Sequence, residues 1–347
     1  MKKRAIILFN LGGPNNPDAV RPFLFNLFND PAIINLPNPM RWLIAKLISY
    51  RRAPVAKDIY NEIGGKSPIL ELTQQQAKAL EAAINIDPDN QFKVFIVMRY
   101  WHPMSTVVVS NVKEYDPDEI LLLPLYPHFS STTSGSSIKD WHKAAKKSDL
   151  KKPTKTICCY PTETNLIKAQ VELLQKEIKK SNNKSRILFS AHGLPKKIID
   201  KGDPYQTHIE KTATEIASEA GLKNKDWAIC YQSRVGPLEW IGPSLDEELK
   251  RASFDNVGVI ILPIAFVSEH SETLVELDIE YKNIAMDLKI PTYQRVPAVG
   301  TNRNFITSLV NLVRNSVAQD MTKTSNTGLR ICPLNRLCHS YDSKIQM

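Results

Sequence analysis

The sequence predicts an α/β chain made of two similar, doubly wound parallel-sheet halves related by internal duplication. Three observations carry this. Short apolar runs that stop at Gly or Pro alternate with longer segments of helical period, the pattern of parallel strands joined by crossover helices. Three landmarks recur in the same order: AIILFNLGGP (5–14) with RILFSAHGLP (186–195), KVFIVMRYWHP (93–103) with WAICYQSRVGP (227–237), and EILLLPLYPHFSS (119–131) with VGVIILPIAFVSEH (257–270). The offset between copies drops from 181 residues at the first landmark to 134 at the second, so the first half carries an insertion of 47 residues between about 17 and 70.

The elements follow in order. MKKRAIILFNLGGP begins basic, but its apolar run is short and ends in Asn10 and Gly-Gly-Pro, so it reads as a first strand and not as an export signal. The insertion holds PFLFNLFNDP and PNPMRWLIAKLISYRR. It reads as a helical lid on its own core, or as a lip over a flat apolar ligand that also touches a membrane surface. Expected boundaries are 1–155 for the first domain, 156–320 for the second and 321–347 for a tail. Ligands of open parallel sheets bind beyond the C-terminal strand ends. That rule collects Asn10, Gly12, Arg99, Tyr126, His128, His192, Gln232, Glu269, His270 and Glu272 around one expected crevice between the halves.

Composition narrows the function. At 42% hydrophobic and 23% charged residues the chain reads as a soluble globular protein, and no apolar run approaches the ~20 residues of a membrane span. The net charge of +9 points to anionic partners, whether phosphate, carboxylate-bearing ligand or membrane surface. The basic excess lies in solvated-looking segments without interleaved aromatics, which argues against nucleic acid. Five cysteines without a C-x-x-C pair fit a reducing compartment, so the expected location is the cytoplasm, with peripheral membrane contact left open.

The chemistry concentrates in two places. His192 stands where the strand Ile187-Leu188-Phe189 gives way to a glycine turn. After the strand VGVIILPIAF comes VSEHSETLVELDIEYKNIAMDL, in which Glu272, Glu276 and Glu280 share a helix face behind Glu269 and His270. No lysine at i+4 offsets them, and like charges at that spacing repel, so a cation or a flow of protons would have to supply the return. Imidazole with carboxylate suits a divalent iron-type ion, and zinc takes the same ligands. No P-loop, G-x-G-x-x-G or G-x-S-x-G pattern is present, and no ligand spacing marks a permanent structural metal.

With these residues in place the chain resembles the ferrochelatase family over about residues 4–320. The resemblance rests on LFNLGGP, YRRAPVAKDIYNEIGGKSPI, MRYWHP, LLPLYPHFSSTTSGSS, SAHGLP, YQSRVGP with Trp240-Ile241-Gly242-Pro243, and SEHSETLVELDIEY. It implies two Rossmann-like domains and insertion of Fe²⁺ into protoporphyrin IX with loss of two pyrrole protons. It implies His192 as metal ligand and proton acceptor, base or ligand being left open, and Glu272 as its partner across the macrocycle. Glu269, His270, Glu276 and Glu280 become a proton or metal relay, on a helix with π-type widening. Arg51, Arg52, Tyr60 and Ser67 match the family's segments near the porphyrin edge; Arg99 and Tyr126 by their strand-end positions, with Gln232, Ser233 and Trp240, are expected to bind porphyrin as well.

The tail departs from the family pattern. Some members hold a [2Fe–2S] cluster on four cysteines. Here the run reads Cys332-Pro333-Leu334-Asn335 with Cys338 too close, and Ser131 stands at the fourth position. Two of four thiolates are missing, so no permanent cofactor is expected and Fe²⁺ is a substrate. The competing readings are a haem or metal carrier without turnover, and a chelatase for another metal or tetrapyrrole. Protoporphyrin versus coproporphyrin is left open.

Overall fold

The computed structural model describes residues 2–86, 90–181, 184–234, 236–328, 331–334 and 336. Its strands are β1 (Lys2–Asn10), β2 (Asn90–Met98), β3 (Glu119–Pro124), β4 (Thr154–Cys159), β5 (Ser185–His192), β6 (Trp227–Gln232), β7 (Gly258–Pro263), β8 (Tyr293–Arg295) and β9 (Lys323–Ser325). The helices are α1 (Val20–Phe28), α2 (Asn38–Asn61), α3 (Ile69–Ile84), α4 (Ser105–Tyr115), α5 (Ser134–Lys147), α6 (Thr164–Lys180), α7 (Lys196–Asp200), α8 (Tyr205–Glu219), α9 (Leu245–Phe254), α10 (Lys282–Asp287) and α11 (Arg303–Ala318). A π-helix, Glu272–Tyr281, runs into α10.

Among the described residues the strands form two all-parallel sheets, ordered β2-β1-β3-β4-β9 and β6-β5-β7-β8. Apart from β9 the two orders are the same, which is the duplication in three dimensions. Phe9 lies opposite Pro124 and Ser190 opposite Pro263, so the first landmark aligns as read from sequence and the third does so with its two prolines matched. The second slips by one residue. Asn10 pairs with Met98 and Ala191 with Tyr231, so Arg99 stands where Gln232 stands, although letter-by-letter matching set Met98 against Gln232. A one-residue slip in a strand exchanges the faces, and apolar runs buried on both faces do not reveal it.

The chain divides into two compact units, one of Met1–Cys159 with Leu309–Ser325, the other of Tyr160–Ser308 with the described residues after Ser325. The first boundary thus falls at Cys159/Tyr160, not at 155/156, and α11 is shared between the units. The expected tail is also not a separate segment: Lys323–Ser325 adds β9 to the first sheet beside β4.

In the second unit, alternate residues of β5 serve opposite faces, as a strand requires. Ile187, Phe189 and Ala191 pack in a core with Ile209, Ala213 and Ile216 of α8. Leu188 packs on the other side with Leu245 and Leu249 of α9 and Leu277 and Tyr281 of the π-helix. Ser190 and His192 continue the Leu188 side, so the strand becomes polar on the π-helix face as it ends. In the first unit, Val20, Phe23 and Leu24 of α1 pack with Ala53 and Tyr60 of α2 and with Tyr100. The opposite side of α2 leaves Met40, Leu43, Leu47 and Tyr50 exposed.

Candidate active site

The β5 register delivers His192 to the first turn of the π-helix. Its Nδ1 lies 2.8 Å from Glu272 Oε2, and the side chains are 39% and 26% exposed, open enough to meet a ligand. Nδ1 is thereby committed and Nε2 remains for chemistry. The Tyr205 hydroxyl donates to the His192 carbonyl at 3.1 Å. Gly193 accounts for the turn that follows: a Cβ there would lie 3.0 Å from the Gln232 carbonyl oxygen and 3.4 Å from the Trp240 ring.

These distances correct one expectation. Glu272 is not across a macrocycle from His192, because atoms 2.8 Å apart leave no space for a ring that needs about 3.5 Å on each side. The two side chains meet at one place.

Glu276, one turn further on, is held from β6. Ser233 donates its N–H to Glu276 Oε1 at 2.8 Å and its hydroxyl to Oε2 at 2.6 Å, and Gln232 Nε2 donates to Oε2 at 3.1 Å. Gln232 Nε2 also reaches the Glu272 carbonyl at 3.2 Å, and Gln232 Oε1 accepts from Ser190 at 2.7 Å. Ser233 aims both donors by adopting φ +61, a left-handed conformation that non-glycine residues occupy at a cost.

Electrostatics separate the three groups. Burial works against the His192 imidazolium, but the Glu272 carboxylate beside it, and Glu276 beyond, raise it above the ordinary histidine value. Burial also opposes the Glu272 charge, yet His192 and His270 hold that carboxyl well below the usual range. Glu276 is pushed up to about 7 by burial and by the neighbouring Glu272 charge. The resting site thus sets an imidazole biased toward its protonated form beside an ionised Glu272 carboxylate, next to a Glu276 carboxyl that titrates at about 7.

Other expected site residues have different surroundings. Glu269 has Oε1 on Arg295 Nη1 and the Ala298 N–H, both at 2.8 Å, and Oε2 on Arg295 at 3.0 Å, so it anchors the helix start and is no relay carboxylate. His270 is buried and accepts the Glu272 N–H at 3.0 Å on Nδ1, and burial lowers its pKa. It caps the start of the π-helix. Glu280 is exposed on the helix surface. The π-type helix implied by the resemblance is there.

In the first unit, Arg99 donates to Asp30 Oδ2 at 2.8 Å and to Ser136 at 2.7 Å, with Tyr100 and Ser136 hydroxyls also on Asp30. Its charge is therefore balanced within the fold and is not held out for a propionate. The Tyr126 hydroxyl is buried. Tyr60 is buried in the α1–α2 core, and the Ser67 N–H donates to the Pro14 carbonyl at 2.8 Å. Ser67 lies so close to Gly13 that a Cβ there would meet its Oγ at 2.5 Å. Arg51 and Arg52 are exposed on α2, Arg52 over the Phe28 ring at 6.0 Å. Trp240 flanks Gly193, and its buried indole N–H finds no acceptor among the described residues. Asn10 is tied to Thr73 at 3.0 Å, and His128 is buried.

Sequence reasoning missed Tyr205, Ser190, Asp30 and Arg295. Tyr205 follows Asp203-Pro204, a helix-start signal, but nothing in the letters says where its hydroxyl points.

Only some of the positions that bear on a [2Fe–2S] cluster lie among the described residues. Cys332 is buried with Sγ 3.3 Å from His208 Nε2, and Cys158 and Cys159 are buried in the first unit. Ser131 is an exposed hydroxyl, while Asn335 and Cys338 lie outside the described residues. Among the described residues no three His, Cys, Asp or Glu side chains converge on a ready metal site.

Fold and site together define a chelatase-type α/β protein. The fold is similar to that of the sirohydrochlorin chelatase SirB from Bacillus subtilis subspecies spizizenii in complex with cobalt, with a TM-score of 0.52 at 11% identity over 91% of this chain and 95% of that one. The ferrochelatase family model matches residues 3–317. Ferrochelatases from Pelagibacter ubique (strain HTCC1062) and Wolbachia sp. subsp. Drosophila simulans (strain wRi) are 54% and 53% identical, each over 90% of this chain and over 90% and 99% of their own lengths. The chain belongs to the ferrochelatase family.

Proposed function

We propose that His192 and Glu272 form the catalytic centre at which this ferrochelatase inserts ferrous iron into protoporphyrin to make haem. The observation that carries the reading is the 2.8 Å His192–Glu272 contact with Glu276 one helical turn away. Metallation exchanges two pyrrole protons for a dication, so the site must remove protons where it delivers the metal. Fe²⁺ arriving at the Glu272 carboxylate weakens the interaction that holds a proton on His192 and adds a positive charge beside it. Both effects lower the imidazole pKa. The Nε2 proton leaves first, to solvent water at the half-exposed ring, because Nδ1–H is held by Glu272. Neutral Nε2 then accepts the two pyrrole protons in turn, releasing the first before it takes the second, and Glu276, with its pKa pushed up to about 7, passes both outward to water.

The test is anaerobic incubation with Fe²⁺ and protoporphyrin IX, following loss of porphyrin fluorescence and counting turnovers. His192→Ala is expected to lower kcat about 10³-fold, within the range of general acid–base contributions, and Glu272→Gln comparably. One haem per chain at most would instead identify a carrier. Turnover undiminished in both variants would move the chemistry elsewhere.

The finer setting belongs to the same proposal. The chain works in the cytoplasm without an iron–sulfur cluster and without nucleic acid. It touches the inner membrane peripherally through the α2 stripe Met40, Leu43, Leu47 and Tyr50, which lies among Arg41, Lys46, Arg51 and Arg52. No helix of the described residues is long and apolar enough to cross a membrane. Leu43→Asp with Leu47→Asp should abolish flotation with anionic vesicles while leaving turnover of solubilised porphyrin unchanged.

A further inference from the structure

Four carboxylates crowd positions 269 to 278, and they are sorted onto two sides. Glu272 and Glu276 go to His192 and Ser233; Glu269 and Asp278 go to Arg295. Arg295 ends β8, and its side chain is only 10% exposed. Its Nε and Nη2 donate to the two Asp278 oxygens at 2.7 and 2.6 Å, and Nη1 donates to Glu269 at 2.8 and 3.0 Å. One planar fork thus grips a residue before the π-helix and a residue within it, as only a guanidinium can. Two residues earlier, on the same side of β8, the Tyr293 hydroxyl donates to the Leu277 carbonyl at 2.5 Å. The chain leaving β8 adds the Ala298 N–H to Glu269.

A π-turn is an uncommon register that an unrestrained helix gives up for the α form, and such a change would rotate Glu276 relative to Glu272. Arg295 opposes it at both ends of the critical stretch, and it reduces the mutual repulsion of the carboxylates. We propose that Arg295 is a positioning residue for metal insertion: by gripping Glu269 and Asp278 it holds the π register in which Glu272 and Glu276 face His192 and Ser233. The inference rests on the catalytic reading of His192 and Glu272.

The experiment compares wild type, Arg295→Met and Arg295→Lys in anaerobic steady-state kinetics with Fe²⁺ and protoporphyrin IX varied separately. Binding of Co²⁺ alone is followed by its visible absorption. Arg295→Met is expected to lose about 10-fold or more in kcat, to raise KM for iron several-fold and to weaken the Co²⁺ spectrum, with KM for porphyrin within about twofold. Arg295→Lys keeps the charge but loses the fork and should fall between. Wild-type kcat and iron KM in Arg295→Met, with only a lowered Tm, would overturn the inference, as would a parallel rise in both KM values. If Arg295→Met does not fold, Arg295→Lys decides: wild-type kinetics and Co²⁺ spectrum overturn it, and lowered kcat with unchanged porphyrin KM supports it. Failure of the wild type to turn over would remove the catalytic reading itself, an outcome distinct from normal turnover in the Arg295 variants.

Discussion

Glu272 and Glu276 sit one turn apart on one helix and hold their protons very differently. The distinction comes from neighbours: Glu272 has an imidazole at 2.8 Å, whereas Glu276 has neutral donors and the Glu272 charge. For Glu276 the folded chain binds the proton more tightly than the unfolded chain. Stability therefore falls as pH rises from its ordinary 4.5 to about 7 and is level above. Glu276→Ala should flatten that fall by on the order of 2 kcal/mol, read from urea midpoints at several pH values. An unchanged slope would show that Glu276 is ionised throughout. Tyr205→Phe removes only the donor to the His192 carbonyl; a stability loss of about 1 kcal/mol is expected, with a few-fold drop in kcat at unchanged porphyrin KM.

Elements inherit such local contacts. The stretch joining α1 to α2 is pinned by Asp30, a buried carboxylate that receives Arg99, Tyr100 and Ser136 as well as the Ala32 N–H. Asp30→Ala leaves the Arg99 guanidinium with Asp140 at 3.7 Å as its remaining carboxylate and should cost about 3 kcal/mol, measured as a Tm shift. Helix α9 starts with a reciprocal capping box between Ser244 and Glu247, so Ser244→Ala should cost about 1 kcal/mol. This box was written in the letters as S-x-x-E. The Asp30 link was not, since its side-chain partners lie 69 to 106 residues away.

At the scale of the whole chain the duplication and the fold class were legible, because strand and helix periods are local properties that recur in order. The one-residue slip of β2 against β6 was not, since both runs are apolar and only pairing sets register. Nor was β9 visible: Lys323–Ser325 is too short to show a period and becomes a strand only beside β4. Ending the chain after Thr322 should therefore expose the β4 edge and lower Tm, which thermal unfolding of the truncated protein would register.

By itself the sequence picked out the residues to which the proposed chemistry is assigned. The types are chosen by the reaction, and His192 at a strand end and carboxylates at helical spacing are readable without coordinates. Only the tertiary structure decided how they act. It set His192 and Glu272 side by side, assigned Glu269 to Arg295, and spent the Arg99 charge on Asp30. Hydrogen bonds over a few ångströms between residues 26 to 80 positions apart decide these things, and spacing along the chain does not encode them.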